Sequence, residues 1–178
     1  MSDNIIIGFS TAKAKNAPIA VAIRAVERTP YSHVYLKFYS ASIDRWLIYH
    51  ASHTNVHFNN IETFNEENKI LEEYEMFSTP EDRREALQLC VDRVGLPYGR
   101  RQLIGMAYVR LVKAWFGRKI SNPFADGKRT QVCSEIAGRI IRILKGPIDV
   151  SLLEYEGPRY IHDVVLEMVR DGQAKRVK

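Results

Sequence analysis

Apolar and polar positions alternate with a period near two through much of the first half of the chain and recur every three or four residues in the second half. The run "NIIIGFST", residues 4–11, reads as a first strand. "NAPIAVAIRAVER", residues 16–28, reads as a helix with Asn16 as its cap and Pro18 in its first turn. After a turn at "TPYS", the β-rich runs "HVYLKFY" (33–39) and "RWLIYHA" (45–51) flank the turn-forming "SASID", the pattern of an antiparallel hairpin. Another strand is expected at "KILEEYEMF" (69–77). Thr79, Pro80, Glu81 and Asp82 then form a strong helix start, with the helix reaching about Val94 and Gly95 closing it. An amphipathic, helical pattern covers 102–116, a polar loop "SNPFADGKR" follows, and further helices are expected over about 133–144 and 161–170. Strands gathered ahead of helices indicate an α+β protein, an antiparallel sheet packed against helices.

Length and composition sharpen this picture. A chain of 178 residues suits one domain, here 1–178 with a helical insertion at about 102–129, and contains no Pro, Gly or Ser tract that reads as a linker and no internal repeat. The start "MSDNIIIGFS" lacks a basic region and a long apolar core, and no apolar run approaches a bilayer span. With only two cysteines this points to a cytoplasmic protein with free thiols, released by lysis or injected if its origin is a phage. The net charge of +5 is compatible with an anionic partner such as nucleic acid, lipid headgroups or an acidic wall polymer, although the basic residues are scattered as on an ordinary solvated surface.

The candidate chemistry centres on the cysteines and histidines. In "EALQLCVDRV" the residues Ala86, Cys90 and Val94 share one apolar helix face, which makes Cys90 a packing residue. Cys133 differs: a polar loop precedes it, and the stripe Ile136, Ala137, Ile140, Ile141 and Leu144 places it in the first turn of a helix, where unpaired N–H groups favour a thiolate. A nucleophile needs a base and a group to orient that base. His33 opens the first hairpin strand and His50 ends the second. With a loop at 40–43, residues i and 83 − i pair, so the two histidines stand opposite each other on one face, and a slip by one residue would separate them. Two other readings stay open at this level. His50, His53, His57 and Cys133 include zinc-ligand types, but without the spacings that mark a zinc site. "YVRLVKAWFGRK", with Arg110, Lys113 and Arg118, faintly resembles a non-catalytic nucleic-acid surface.

The ordered set "TPYSHVYLKF", "WLIYHAS", "VGLPYGRRQLIG" and "QVCSEIAGRII" resembles the circularly permuted branch of the papain-like NlpC-type cysteine hydrolases. That branch takes in the YiiX- and YaeF-like proteins and relatives of lecithin retinol acyltransferase. The resemblance runs from about Ile5 to Leu144. It implies a papain-like fold with the nucleophile at a helix N-terminus, Cys133 as nucleophile, His33 as base and His50 as the orienting residue. It also implies Tyr98 beside the site and an acyl-enzyme whose oxyanion is held by N–H groups at the helix start. Ser134 lies next to the nucleophile, where a polar contact or capping of its own turn would occupy it, and Glu135 complements the helix dipole. The implied activity is amide hydrolysis of a peptide or a peptidoglycan fragment, with a lipid ester or thioester as the alternative substrate. No cofactor and no metal is expected. The "GRR" after Tyr98 and the insertion at 102–129 depart from the pattern and bear on the substrate.

Overall fold

A computed structural model describes residues 4–13, 18–52, 54–99, 102, 104–106, 108–109, 112, 120, 123, 132–153 and 156–178. Six antiparallel strands form one sheet in the order β4-β3-β2-β1-β5-β6. They are β1 (Ile5–Ala12), β2 (His33–Ser40), β3 (Arg45–Ala51), β4 (Val56–Asn60), β5 (Asn68–Met76) and β6 (Ala174–Arg176). The helices are α1 (Pro18–Glu27), α2 (Ile61–Glu67), α3 (Pro80–Val91), α4 (Cys133–Ile143) and α5 (Pro158–Arg170). The α+β class with an antiparallel sheet against helices is thus the observed architecture.

Alternation along the strands decides what each face of the sheet carries. Val34, Leu36 and Phe38 of β2, with Tyr49 and Ala51 of β3, face α4 and join one core with Ala86, Cys90, Ile136, Ile140, Ile161 and Val165. Tyr35 and Ile48 point to the opposite face, where α2 closes over them with Phe64. Tyr35 reaches across the sheet to Glu73 of β5, to which its hydroxyl donates at 2.7 Å, and Lys37 pairs with the same carboxylate at 3.2 Å. The ring passes over Gly8, the residue directly between them in β1, paired to Tyr35 on one side and Glu73 on the other. A Cβ at Gly8 would lie against Cζ of that ring, closer than any side chain can sit.

The start of α3 follows its sequence signal: Thr79 Oγ1 accepts from Asp82 N and Asp82 returns the bond to Thr79 N, a complete capping box behind Pro80. The helix stops at Val91, earlier than its pattern implied, so Val94 lies beyond it, 48 % exposed, whereas Cys90 is buried beside Ala86. The hairpin also departs from expectation. Its turn occupies 41–44, and the ladder runs Ser40↔Arg45 to Leu36↔Tyr49, so partners sum to 85 where a sum of 83 was expected. A displacement of two residues preserves facing, because side chains alternate with period two. His33 and His50 therefore share a face, as diagonal rather than direct neighbours. Two short elements have no counterpart in the expected set besides β6: β4, and α2, whose N-cap Asn60 accepts from Thr63 N at 2.7 Å. The expected cap Asn16 and most of the 102–129 insertion lie outside the described residues. Those that are described from 102 to 112 are helical.

Candidate functional site

The nucleophile candidate is set by the junction of an extended residue with α4. Val132, fully buried and in β conformation, is the N-cap, and its side chain offers the first turn no acceptor. Glu135, three residues on, takes the Val132 N–H at 3.2 Å and is held from its other oxygen by Gln102 Nε2 at 2.9 Å. The turn is thus secured from Glu135, and the amides of Cys133 and Ser134 stay directed at the sulfur. Cys133 is 3 % exposed. Burial pushes its thiol up to about 11. The approaching N–H groups of Val34, Ser134 and Cys133 itself pull the other way, while the charge of Glu27 adds to the rise. The helix-start environment read from sequence is present, but burial outweighs it, so the resting group is a thiol. Cys90 is higher still, again through burial.

His33 and His50 meet on the opposite face. His33 Nε2 lies 3.2 Å from His50 Nδ1, their rings are 5.3 Å apart, and Phe64 of α2 forms the floor beneath both, 6.2 and 5.1 Å from them. Burial lowers His33 to about 4. Burial first, then the neighbouring charges of His33 and His57, lowers His50 to about 2. Both imidazoles are therefore neutral near pH 7. Nε2 of His50 is buried and finds no partner among the described residues.

The cysteine and the histidines lie on opposite faces of the sheet, beside the stretch where the β2–β3 pairing has ended. The β2–β3 ladder ends at Leu36↔Tyr49, leaving 33–35 and 50–51 outside it. The Val34 amide that approaches Sγ belongs to the residue next to His33. Among the described residues no hydrogen bond joins Cys133 to either imidazole. A cavity of about 300 Å³ opens on the histidine side, lined by His33, His50, Tyr98 and an apolar wall from α1. Tyr98 is held there by its N–H to Thr54 O at 3.1 Å and by the adjacent Asn55↔Pro97 bridge. Ser134 is buried, beside the sulfur through its backbone.

Several residues of this neighbourhood were not singled out from sequence. His57, named from sequence only as a zinc-ligand type, stands directly opposite His50 across β3 and β4, with rings 4.7 Å apart, a contact that required β4 to be recognised as a strand. Gln102, Phe64 and Glu27 carry no local signal of their roles, because each acts through a long-range contact. A second polar cluster lies along β5: His162 Nε2 is 2.9 Å from Glu72 and 3.2 Å from the Tyr31 hydroxyl, and Tyr74 donates to Glu72 at 2.5 Å. His53 lies outside the described residues.

No protein-family model matches the chain, and no curated protein sequence does. Among solved structures, the chain is similar to the metalloprotein YiiX from Escherichia coli O157:H7, with a TM-score of 0.53 and 11% identity over 99% of this chain and 96% of that one. The likeness extends along the whole described architecture and shows a YiiX-like, papain-like fold.

Proposed function

We propose that this chain is a cysteine hydrolase that cleaves an amide bond through Cys133, His33 and His50. The observation that carries the reading is the His33–His50 hydrogen bond, set beside the one backbone amide that leads from the histidines to the sulfur. If His33 Nε2–H donates to His50 Nδ1, His33 keeps a lone pair on Nδ1 for the thiol proton, and His50 stabilises the imidazolium that forms. Sγ then bonds to the acyl carbon as its proton passes to His33, and the oxyanion takes N–H groups at the start of α4. His33 returns the proton to the leaving nitrogen as the C–N bond breaks, and water releases the acyl group. Because the resting pair is thiol and neutral imidazole, His33 acts as a general base during the attack, a role that requires its imidazole to reach the sulfur from the other face of the sheet. The apolar wall of the cavity favours a second substrate reading, a lipid ester or thioester, with the same three residues.

YiiX is a metalloprotein. In this chain no group of three or more His, Cys, Asp or Glu side chains among the described residues is arranged to hold a metal ion, and the facing nitrogens of His33 and His50 are engaged with each other. That donor set does not fit a bound metal, and no step is assigned to one.

The test is acyl-enzyme trapping read by intact-mass spectrometry, with matched amide, ester and thioester substrates. The intact protein gains one acyl mass, Cys133→Ala and His33→Ala gain none, and His50→Ala acylates roughly 10²–10⁴-fold more slowly. Acylation that survives Cys133→Ala, or a normal rate in His33→Ala, refutes the assignment. Turnover of the amide, or of the esters alone, separates the two substrate readings.

A further inference from the structure

Helix α1 is inverted. At 3.6 residues per turn, Val21, Ala25, Pro18, Ala22, Val26 and Ile19 fall within about 160° of arc, and all six are exposed, with Ile19, Val21 and Val26 at 42, 43 and 37 %. The charged residues of the helix turn inward. Arg24 donates to Thr11 Oγ1 at 2.9 Å, and Glu27, the one buried residue of the helix, accepts from Arg159 N at 2.8 Å at the start of α5. A surface helix ordinarily does the opposite. Here the outward half offers water an aliphatic strip with no hydrogen-bonding side chain.

We infer that α1 docks this protein onto an anionic lipid surface. The charges around the strip fit that occupant: Lys13 and Arg28 flank it and are exposed, and the single acid of the helix, Glu27, is turned away. A protein partner fits less well. One face of a ten-residue helix is about 15 Å by 10 Å, far short of the roughly 800 Å² that each partner buries in a stable complex, and the strip has no aromatic anchor. Pro18 and Ile19 of the strip also rim the cavity that His33 and His50 line, so a docked molecule would hold that opening against the lipid. The surface stands independently of the hydrolase reading, since none of its residues takes part in the proposed chemistry.

The experiment is co-sedimentation of the full chain with vesicles of phosphatidylglycerol and phosphatidylcholine. Val21→Glu/Val26→Glu should lower partitioning about tenfold or more, and Val21→Ser/Val26→Ser should lower it by less. Ile43→Glu, on the exposed β2–β3 turn, should stay within about twofold of the parent, and added salt should weaken binding. Circular dichroism checks that the variants fold. Cys133→Ala should bind as the parent does, so a failed hydrolase assignment leaves this result intact. Failure of the parent chain to bind, equal binding by Val21→Glu/Val26→Glu, or a lipid-free dimer that this variant dissolves would each overturn the inference.

Discussion

Acid should destabilise this protein through its histidine pair before its carboxylates titrate. An unfolded imidazole protonates near pH 6.5, whereas burial holds His33 at about 4 and His50 lower. As pH falls below 6.5 the unfolded chain takes up protons that the folded chain refuses. Stability is therefore whole above about 6.5 and declines toward 4. The drop from 6.5 to about 4 at His33 corresponds to about 2.5 kcal/mol lost between pH 7 and 4.5, at 1.36 kcal/mol per unit. With a urea dependence near 2 kcal/mol per molar, the unfolding midpoint should move down by about 1 M from this residue alone. Glu72, whose hydrogen bonds to Tyr74, His162 and Tyr31 outweigh its burial and hold its carboxyl low, loses its contribution only at more acid pH. The assay is urea unfolding at pH 7.0, 5.5 and 4.5 for the intact chain and for His33→Gln, which keeps a donor toward His50 without the titration. A clearly shallower decline for the variant is expected. Two parallel declines would show that His33 is not held neutral by the fold, and would remove the ground for treating it as a base.

Val132→Thr places an acceptor at the N-cap of α4, within reach of the amides of Ser134 and Glu135. Thermal stability should hold or rise by up to about 1 kcal/mol, while acyl-enzyme formation falls by roughly 10²-fold; an unchanged acylation rate would show that those amides do not hold the oxyanion. Gly8→Ala forces a methyl against the Tyr35 ring and should cost about 1–3 kcal/mol in urea unfolding, and a neutral result would mean that the ring can leave Glu73 freely.

The legible parts of the fold were those whose causes are local. The Thr79 and Asp82 capping box, the period-two runs of β1 to β3 and the stripe of α4 each contain their own explanation within a dozen residues. What escaped was non-local. β4 and α2 are short and polar, and are made regular by pairing with β3 and by Phe64 filling the space under the histidines. The hairpin register depends on which four residues turn, and a pattern of period two is blind to a displacement of two. That same parity is why the shared face of His33 and His50 was readable although the pairing itself was not. Cys133 was placed correctly at a helix start, but its burial, which sets the protonation state, comes from the strands and helices packed around it.

The final strand of the sheet bears on how copies of this molecule behave toward one another. β5 is nine residues long, and its outer side is met by only three residues of β6, continued by bonds between Glu73 and the last two residues. The cations of β6 fold back onto the acids of β5, Lys175 on Glu75 at 2.9 Å and Arg176 on Glu72 at 3.3 Å. The sheet therefore ends in a short strand with its charges neutralised pairwise rather than in a row of vacant amides. That closure covers an edge which, left open, would offer a ready template for adding a strand from another chain. The ion pairs that hold the cover in place weaken only as the carboxylates protonate, and Glu72 is held low by its hydrogen bonds, so the edge would open at more acid pH than the interior loosens at His33.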